Sequence, residues 1–156
     1  MCQRHRRLSA TVLDLPHVCD IAAERIGRAG LGQSVDTVAH DFRTDERLPG
    51  GYDVVLLSSV LHNWDEPTDR ALLGRCRTAL EPDAAVVICE LLLNPERTGP
   101  TDAALMGLNM VAETQGGRNY SESQYLAWLT DAGFTEPRVI RFDAPGANGA
   151  VVAVTR

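Results

Sequence analysis

The feature that most constrains this chain is a strand–helix–strand pattern between Tyr52 and Leu93. Tyr52 to Leu57 is an apolar run that reads as a strand packed on both faces. The run gives way to Ser58-Ser59-Val60-Leu61-His62-Asn63-Trp64-Asp65-Glu66, and helix signals follow at once. Pro67 stands in the first turn with acids beside it, and Ala71, Leu72, Leu73, Cys76, Ala79 and Leu80 recur at helical spacing. Ala84 to Leu93 then reads as a second buried strand. Open α/β sheets of such units hold their ligands at the carboxyl ends of the strands, and His62 falls at one. Its position alone fits a well-packed loop histidine as readily as a reactive one.

The rest of the chain continues the alternation. Ala10 to Leu15 is expected as a strand, Pro16 to about Ala29 as a helix stopped by Gly30 and Gly32, and Ser34 to Ala39 as a weaker strand ending in His40-Asp41-Phe42. Arg43 to Gly51 reads as a polar loop and Asn94 to Pro100 as a linker. Thr101 to Glu113 fits a helix ended by Gly116-Gly117. Ser121 to Ala132 fits another, opened by a capping box of Ser121 and Gln124. Arg138 to Phe142 and Ala150 to Val154 are the last expected strands, joined through Pro145-Gly146-Ala147-Asn148-Gly149. The pattern predicts a doubly wound α/β sheet.

Charge and composition exclude several classes. A net charge of −6 and a pI near 5.1 do not describe a nucleic-acid surface. Every basic residue is Arg, so neither a Schiff-base lysine nor a phosphate-binding P-loop is available. Cys2, Cys19, Cys76 and Cys89 form no C-x-x-C pair, and three of them fall in expected helices or strands as small buried hydrophobes of a reducing compartment. No run is long enough to span a bilayer, and a soluble, cytoplasmic protein is expected. Asp65 and Glu66 follow His62 by three and four residues. Pro67, however, biases Glu66 away from helical geometry and no second His lies near, so no metal site is expected.

The stretches SSVLHNWDEP, RALLGRCRTALEP, VVICELLL and GGRNYSESQYLAWLTDAGF resemble the C-terminal catalytic domain of S-adenosylmethionine-dependent O-methyltransferases, in the branch of the caffeate, flavonoid and polyketide enzymes. The likeness runs almost from end to end of the chain. It implies a Rossmann-like class I methyltransferase sheet with helices on both faces, residues 1–156 being a partial catalytic domain. S-adenosylmethionine is the implied cofactor and a small-molecule hydroxyl, aromatic or polyketide-like, the implied acceptor. No nucleic acid or membrane partner is implied.

The resemblance also implies roles. His62 is the base that takes the acceptor's proton, and Glu90 orients the imidazole. Asp14 binds the ribose, Asp41 and Phe42 hold the adenine, and Ser58 lies on the cofactor's carboxylate. Asn63, Met110 and Thr114 line the acceptor pocket. Asn119 stands where the family places a second orienting acid, so Asn119→Glu is expected to raise activity. Trp64 could cover the adenine or simply pack.

Parts of the family pattern are missing. The glycine-rich turn that ordinarily precedes the ribose acid by about 20 residues has no counterpart, because Met1 to Ser9 hold no glycine. The N-terminal helical domain through which family members form homodimers has no counterpart within these residues either. The first strand of that sheet is central, between those expected at Ala10 and Tyr52, and without it both neighbours keep unpaired ladder edges roughly 9–10 Å apart. A fragment or truncated gene product is the first expectation, and weak S-adenosylmethionine binding with little activity the consequence. Two alternatives remain. One is a catalytically inactive remnant or interaction module, the other a methyltransferase-like enzyme with different chemistry, such as hydroxylation or a pericyclic step.

Overall fold

The computed structural model describes residues 1–156, which fall into two compact units, Met1–Glu46 and Arg47–Arg156. In the first unit β1 (Ala10–Asp14) and β2 (Val35–Ala39) pair in parallel, with Ala10 opposite Val35 and Asp14 opposite Ala39. They are linked by α1 (Pro16–Arg28). Pro16 can open this helix because the first-turn N–H groups have no intrahelical partner to lose. Arg25 and Arg28 complement its C-terminal dipole, and Gly30, at φ +67°, turns the chain out of it.

The second unit carries a four-stranded sheet in the order β3 (Tyr52–Ser58), β4 (Leu80–Glu90), β6 (Ala147–Val154), β5 (Thr135–Ala144). β3 and β4 are parallel and the other two pairs antiparallel. β1 pairs only with β2 and β3 only with β4, so each keeps one open ladder edge, as the resemblance implied. The expectation that β3 is buried on both faces fails. Leu57 is buried, but Val54 and Leu56 are 50% and 44% exposed, because the second unit places nothing over the face these two residues share on an edge strand.

α2 (Glu66–Ala79) is capped by Asp65, whose Oδ1 accepts the Thr68 N–H at 3.1 Å. The cap draws Glu66 into the first helical turn despite the following proline, contrary to expectation. α3 (Thr101–Glu113) follows the Asn94–Pro100 linker. α4 (Glu122–Asp131) opens with the predicted capping box, in which Ser121 N–H donates to Gln124 Oε1 at 3.1 Å and Gln124 N–H to Ser121 Oγ at 3.4 Å. α2 and α4 lie against each other, joined by Arg70. Its guanidinium donates to Glu66 (2.8 Å) and to Asp131 (2.7 Å) and lies 5.6 Å over the Trp128 ring. Tyr120, Tyr125 and Trp128 form edge-to-face pairs with centroids 4.7–5.9 Å apart in the core beneath.

Three strands differ in extent from expectation. β4 starts at Leu80, not Ala84. Its Pro82-Asp83 step resembles a turn, but Thr155 accepts the Ala84 N–H at 2.9 Å and donates to the Glu81 carbonyl at 2.6 Å, fixing that stretch along the sheet. β4 also ends at Glu90, not Leu93; Leu92 is instead bridged to the side chain of Asn148, which accepts its N–H at 2.8 Å and donates to its carbonyl at 3.0 Å. β5 and β6 run almost into each other, joined by Pro145-Gly146 alone with Gly146 at φ +82°, so the expected five-residue connection is a two-residue hairpin. No helix is long and apolar enough to cross a membrane. All four cysteines are free. Cys19 and Cys76 are buried as expected, the Cys76 thiol being pushed up to about 12 by burial, but Cys89 is half-buried.

Candidate active site

The end of β3 delivers the chain into a tight polar turn. Ser59 adopts a left-handed backbone (φ +56°) and donates its N–H to the Cys89 carbonyl at 3.1 Å. Leu61–Asn63 then form one turn of 3₁₀ helix. Glu90, the last residue of β4, reaches this turn from the neighbouring strand. Its Oε1 accepts the N–H groups of Val60 (3.0 Å) and Leu61 (3.1 Å), and its Oε2 lies 2.6 Å from His62 Nδ1. Glu90 and His62 are only 2% and 8% exposed. Three donors satisfy the buried carboxylate. Because Nδ1 faces a carboxylate, the Nδ1–H tautomer follows and Nε2 is left as the acceptor.

The turn is braced on several sides. Asn63 Nδ2 donates to the carbonyls of Ser59 (3.2 Å) and Val60 (3.0 Å), and the Tyr120 hydroxyl donates to the Trp64 carbonyl at 2.8 Å. The braces leave a fixed imidazole whose one free nitrogen can take a proton.

Asn119 does not stand as the resemblance implied. Its Nδ2 donates to the carbonyls of Leu91 (2.9 Å) and Ala103 (2.8 Å), tying the end of β4 to α3, and it makes no hydrogen bond to His62. Its Oδ1 is buried without a partner. A carboxylate there would face two carbonyl oxygens, so the gain expected from Asn119→Glu is withdrawn.

Thr114 is likewise engaged within its own turn: its hydroxyl donates to the Met110 carbonyl at 2.7 Å and accepts the Gly117 N–H at 2.9 Å. Met110 is buried, 7% exposed. Ser58, the last residue of β3, is exposed.

In the first unit, Asp14 and Asp41 stand at the same end of the β1–β2 pair, where the His40 N–H donates to the Asp14 carbonyl at 2.8 Å. Asp14 is exposed, and one of its carboxylate oxygens accepts the Leu15 N–H. Asp41 is gripped by Arg43. Arg43 donates its backbone N–H (3.0 Å) and Nε–H (2.9 Å) to Oδ1 and its Nη2–H (2.8 Å) to Oδ2. Those hydrogen bonds hold the Asp41 carboxyl down at about 2. Phe42 beside it is half-buried.

One acidic residue escaped the sequence reading. Asp69 on α2 is fully buried, and neither carboxylate oxygen has a hydrogen-bond partner. Burial, with Glu90, Asp65 and Glu66 adding to it, pushes its carboxyl up to about 9, so it is a neutral acid at pH 7. The signal was present: Asp69 precedes Leu72, Leu73 and Cys76 by three, four and seven residues, on the buried stripe of the helix.

The family model for an O-methyltransferase domain matches residues 2–135. The chain belongs to the O-methyltransferase family. It is 51% identical over 154 residues to a 3-hydroxy-5-methyl-1-naphthoate 3-O-methyltransferase of Streptomyces sahachiroi, covering 99% of this chain and 44% of that protein. It is 32% identical over 156 residues to an L-tyrosine C(3)-methyltransferase of Streptomyces lavendulae, covering 98% of this chain and 42% of that one. Among solved structures, an O-methyltransferase from neocarzinostatin biosynthesis, in complex with S-adenosyl-L-homocysteine and 1,4-dihydroxy-2-naphthoic acid, superimposes with a TM-score of 0.82 at 27% identity, covering 99% of this chain and 44% of that chain. The chain therefore spans less than half the length of these family members.

Proposed function

We propose that this chain is the catalytic part of an S-adenosylmethionine-dependent O-methyltransferase that methylates a hydroxyl of a small aromatic acceptor of the hydroxynaphthoate class. The observation that carries the reading is the buried His62–Glu90 pair at the carboxyl end of the parallel β3–β4 pair, within a chain of this family. A phenol is mostly neutral at pH 7, so its oxygen needs a base before it attacks a methyl group, and imidazole is a suitable one. His62 Nε2 takes the proton, and Glu90 holds the ring by Nδ1–H and stabilises the imidazolium that forms.

The residues of the first unit fit the cofactor's polar groups. Asp14 is exposed and can accept hydrogen bonds from the ribose hydroxyls, while Asp41 and Phe42 stand two and three residues past the paired strand for the adenine. Ser58 is exposed for the carboxylate end. When bound, S-adenosylmethionine supplies an electrophilic sulfonium methyl. Asn63 and Met110 belong to the acceptor side of the same reading; Thr114 supports the neighbouring turn rather than offering its hydroxyl. Residues 1–156 form part of one catalytic domain in this reading, and the homodimer implied by the family likeness belongs to it as well.

The test uses the full-length protein with S-adenosylmethionine and a hydroxynaphthoate. Methylated product is expected from the wild type, and His62→Ala should lower its rate by about 10²–10⁴-fold with cofactor affinity nearly unchanged. An unimpaired His62→Ala variant would remove His62 from the mechanism. A methyl group found on carbon would move the chain toward the chemistry named for the tyrosine C-methyltransferase.

A further inference from the structure

We propose that Gly117 is a positioning residue for His62, set against the backbone of the base-bearing turn by the hydroxyl of Thr114. A Cβ built on Gly117 would lie 2.6 Å from the His62 carbonyl oxygen and 2.9 Å from the Asn63 carbonyl carbon, and would overlap Thr114 Oγ1. A Cβ on Gly116 would meet Asp65 Cβ at 3.2 Å. The Gly116-Gly117 segment thus packs flat on residues 62–65, and only glycine permits that approach. Gly117 needs no left-handed backbone, unlike Gly116 at φ +95°, so its requirement is one of contact alone.

The contact is held from the other side. The Gly117 N–H donates to Thr114 Oγ1 at 2.9 Å, and that hydroxyl donates to the Met110 carbonyl at 2.7 Å, anchoring the segment to the last turn of α3. Three residues on, the Tyr120 hydroxyl holds the Trp64 carbonyl. Residues 114–120 therefore clasp the 3₁₀ turn from outside, while Glu90 holds it from the strand side. The imidazole is fixed only if both sides are in place. A base displaced by an ångström loses a large part of its effect, so the clasp acts on catalysis through His62 without touching substrate.

This inference rests on His62 being the base, but its test needs no turnover. The Nδ1 proton shared with Glu90 at 2.6 Å should give a resolved downfield resonance in a proton–nitrogen spectrum of the labelled protein. Gly117→Ala should shift that resonance upfield or lose it while circular dichroism shows the fold intact. A folded Gly117→Ala protein with the resonance unmoved would overturn the proposal. Should Gly117→Ala not fold, Thr114→Val decides, since it removes the acceptor of the Gly117 N–H and adds no bulk under His62. The same loss is then expected, with Thr114→Ser restoring the signal; an unmoved signal in Thr114→Val overturns the clasp. In the full-length enzyme, kcat should fall by about 10²-fold with the KM for cofactor unchanged. A wild-type protein that shows the resonance yet transfers no methyl group would count against the methyltransferase reading and leave the clasp standing.

Discussion

Two carboxylates of the candidate cofactor and base residues, Asp41 and Glu90, are held in opposite ways. Asp41 finds its partners two to four residues along the chain: Arg43 grips both oxygens and its own N–H reaches Asp45. Glu90 joins residues 28 to 30 positions away, and all three of its donors lie on a turn that exists only when β3 and β4 are paired. Arg43 is exposed, while Glu90 and His62 are buried. A peptide carrying Asp41 and Arg43 could keep that ion pair, whereas the Glu90 arrangement reports the fold itself. A third carboxylate, Asp69, has burial without any partner.

Removing the buried, fully partnered acid should have the largest effect. Glu90→Ala leaves two backbone N–H groups and the imidazole N–H without an acceptor, and a loss of about 3–5 kcal/mol is expected in denaturant unfolding. A loss under about 1 kcal/mol would mean that water replaces the carboxylate and that Glu90, like Asp41, contributes little to folding.

Asp69 should behave in the reverse sense. Its folded-state value of about 9 lies above the ordinary 3.8, so the native state binds the extra proton and stability falls as pH rises from about 4 to about 9. Asp69→Asn removes that linkage without changing the shape of the side chain. A gain on the order of 4 kcal/mol is expected at pH 7, shrinking toward zero near pH 4. A pH-independent difference between the two proteins would show that Asp69 is ionised and paired in solution.

Asn119→Glu should cost about 2–3 kcal/mol, because a charge replaces a donor to two carbonyls in a buried site. Rescue of stability at low pH, where the new carboxyl is neutral and can donate one hydrogen bond, would sharpen the assignment. Arg43→Ala should have the smallest effect on folding. The Asp41 carboxyl is expected to rise from about 2 toward its usual range, read by carbon NMR titration, while the melting temperature stays nearly where it was. In the wild type the contribution of this pair is present above the usual carboxylate value and is lost as pH falls through about 2. A large drop in melting temperature would mean that Asp41 is as much a structural anchor as Glu90.

What could be read from the sequence follows the same division between local and distant contacts. Helix starts and stops were legible because Pro16, the Ser121–Gln124 box and Gly30 act within a turn of their own positions. The ends of β4 were not, since Thr155 and Asn148 extend or replace strand pairing from 56 to 74 residues away. The exposure of Val54 and Leu56 was hidden for a related reason: an apolar run shows that a strand can be buried, and only its neighbours decide whether it is. His62 and Glu90 could be matched through a family likeness, but no spacing rule joins two residues 28 apart. Asn119 shows the limit of that likeness, because the matching position carried over while the contacts did not. Asp69 and Gly117 were each present in a pattern, a helical stripe and a glycine pair, but the first was not singled out and the second was read as a helix stop.

The double duty of Glu90 has an evolutionary consequence. Its Oε1 pins the Val60 and Leu61 amides whether or not an imidazole sits on Oε2. On the proposed role of His62, a gene copy released from selection for methyl transfer would be free to lose His62 well before Glu90, whose Oε1 would still hold the turn. Under that proposal the histidine would be the sensitive indicator of inherited chemistry among descendants of this chain, and the glutamate a marker of inherited shape.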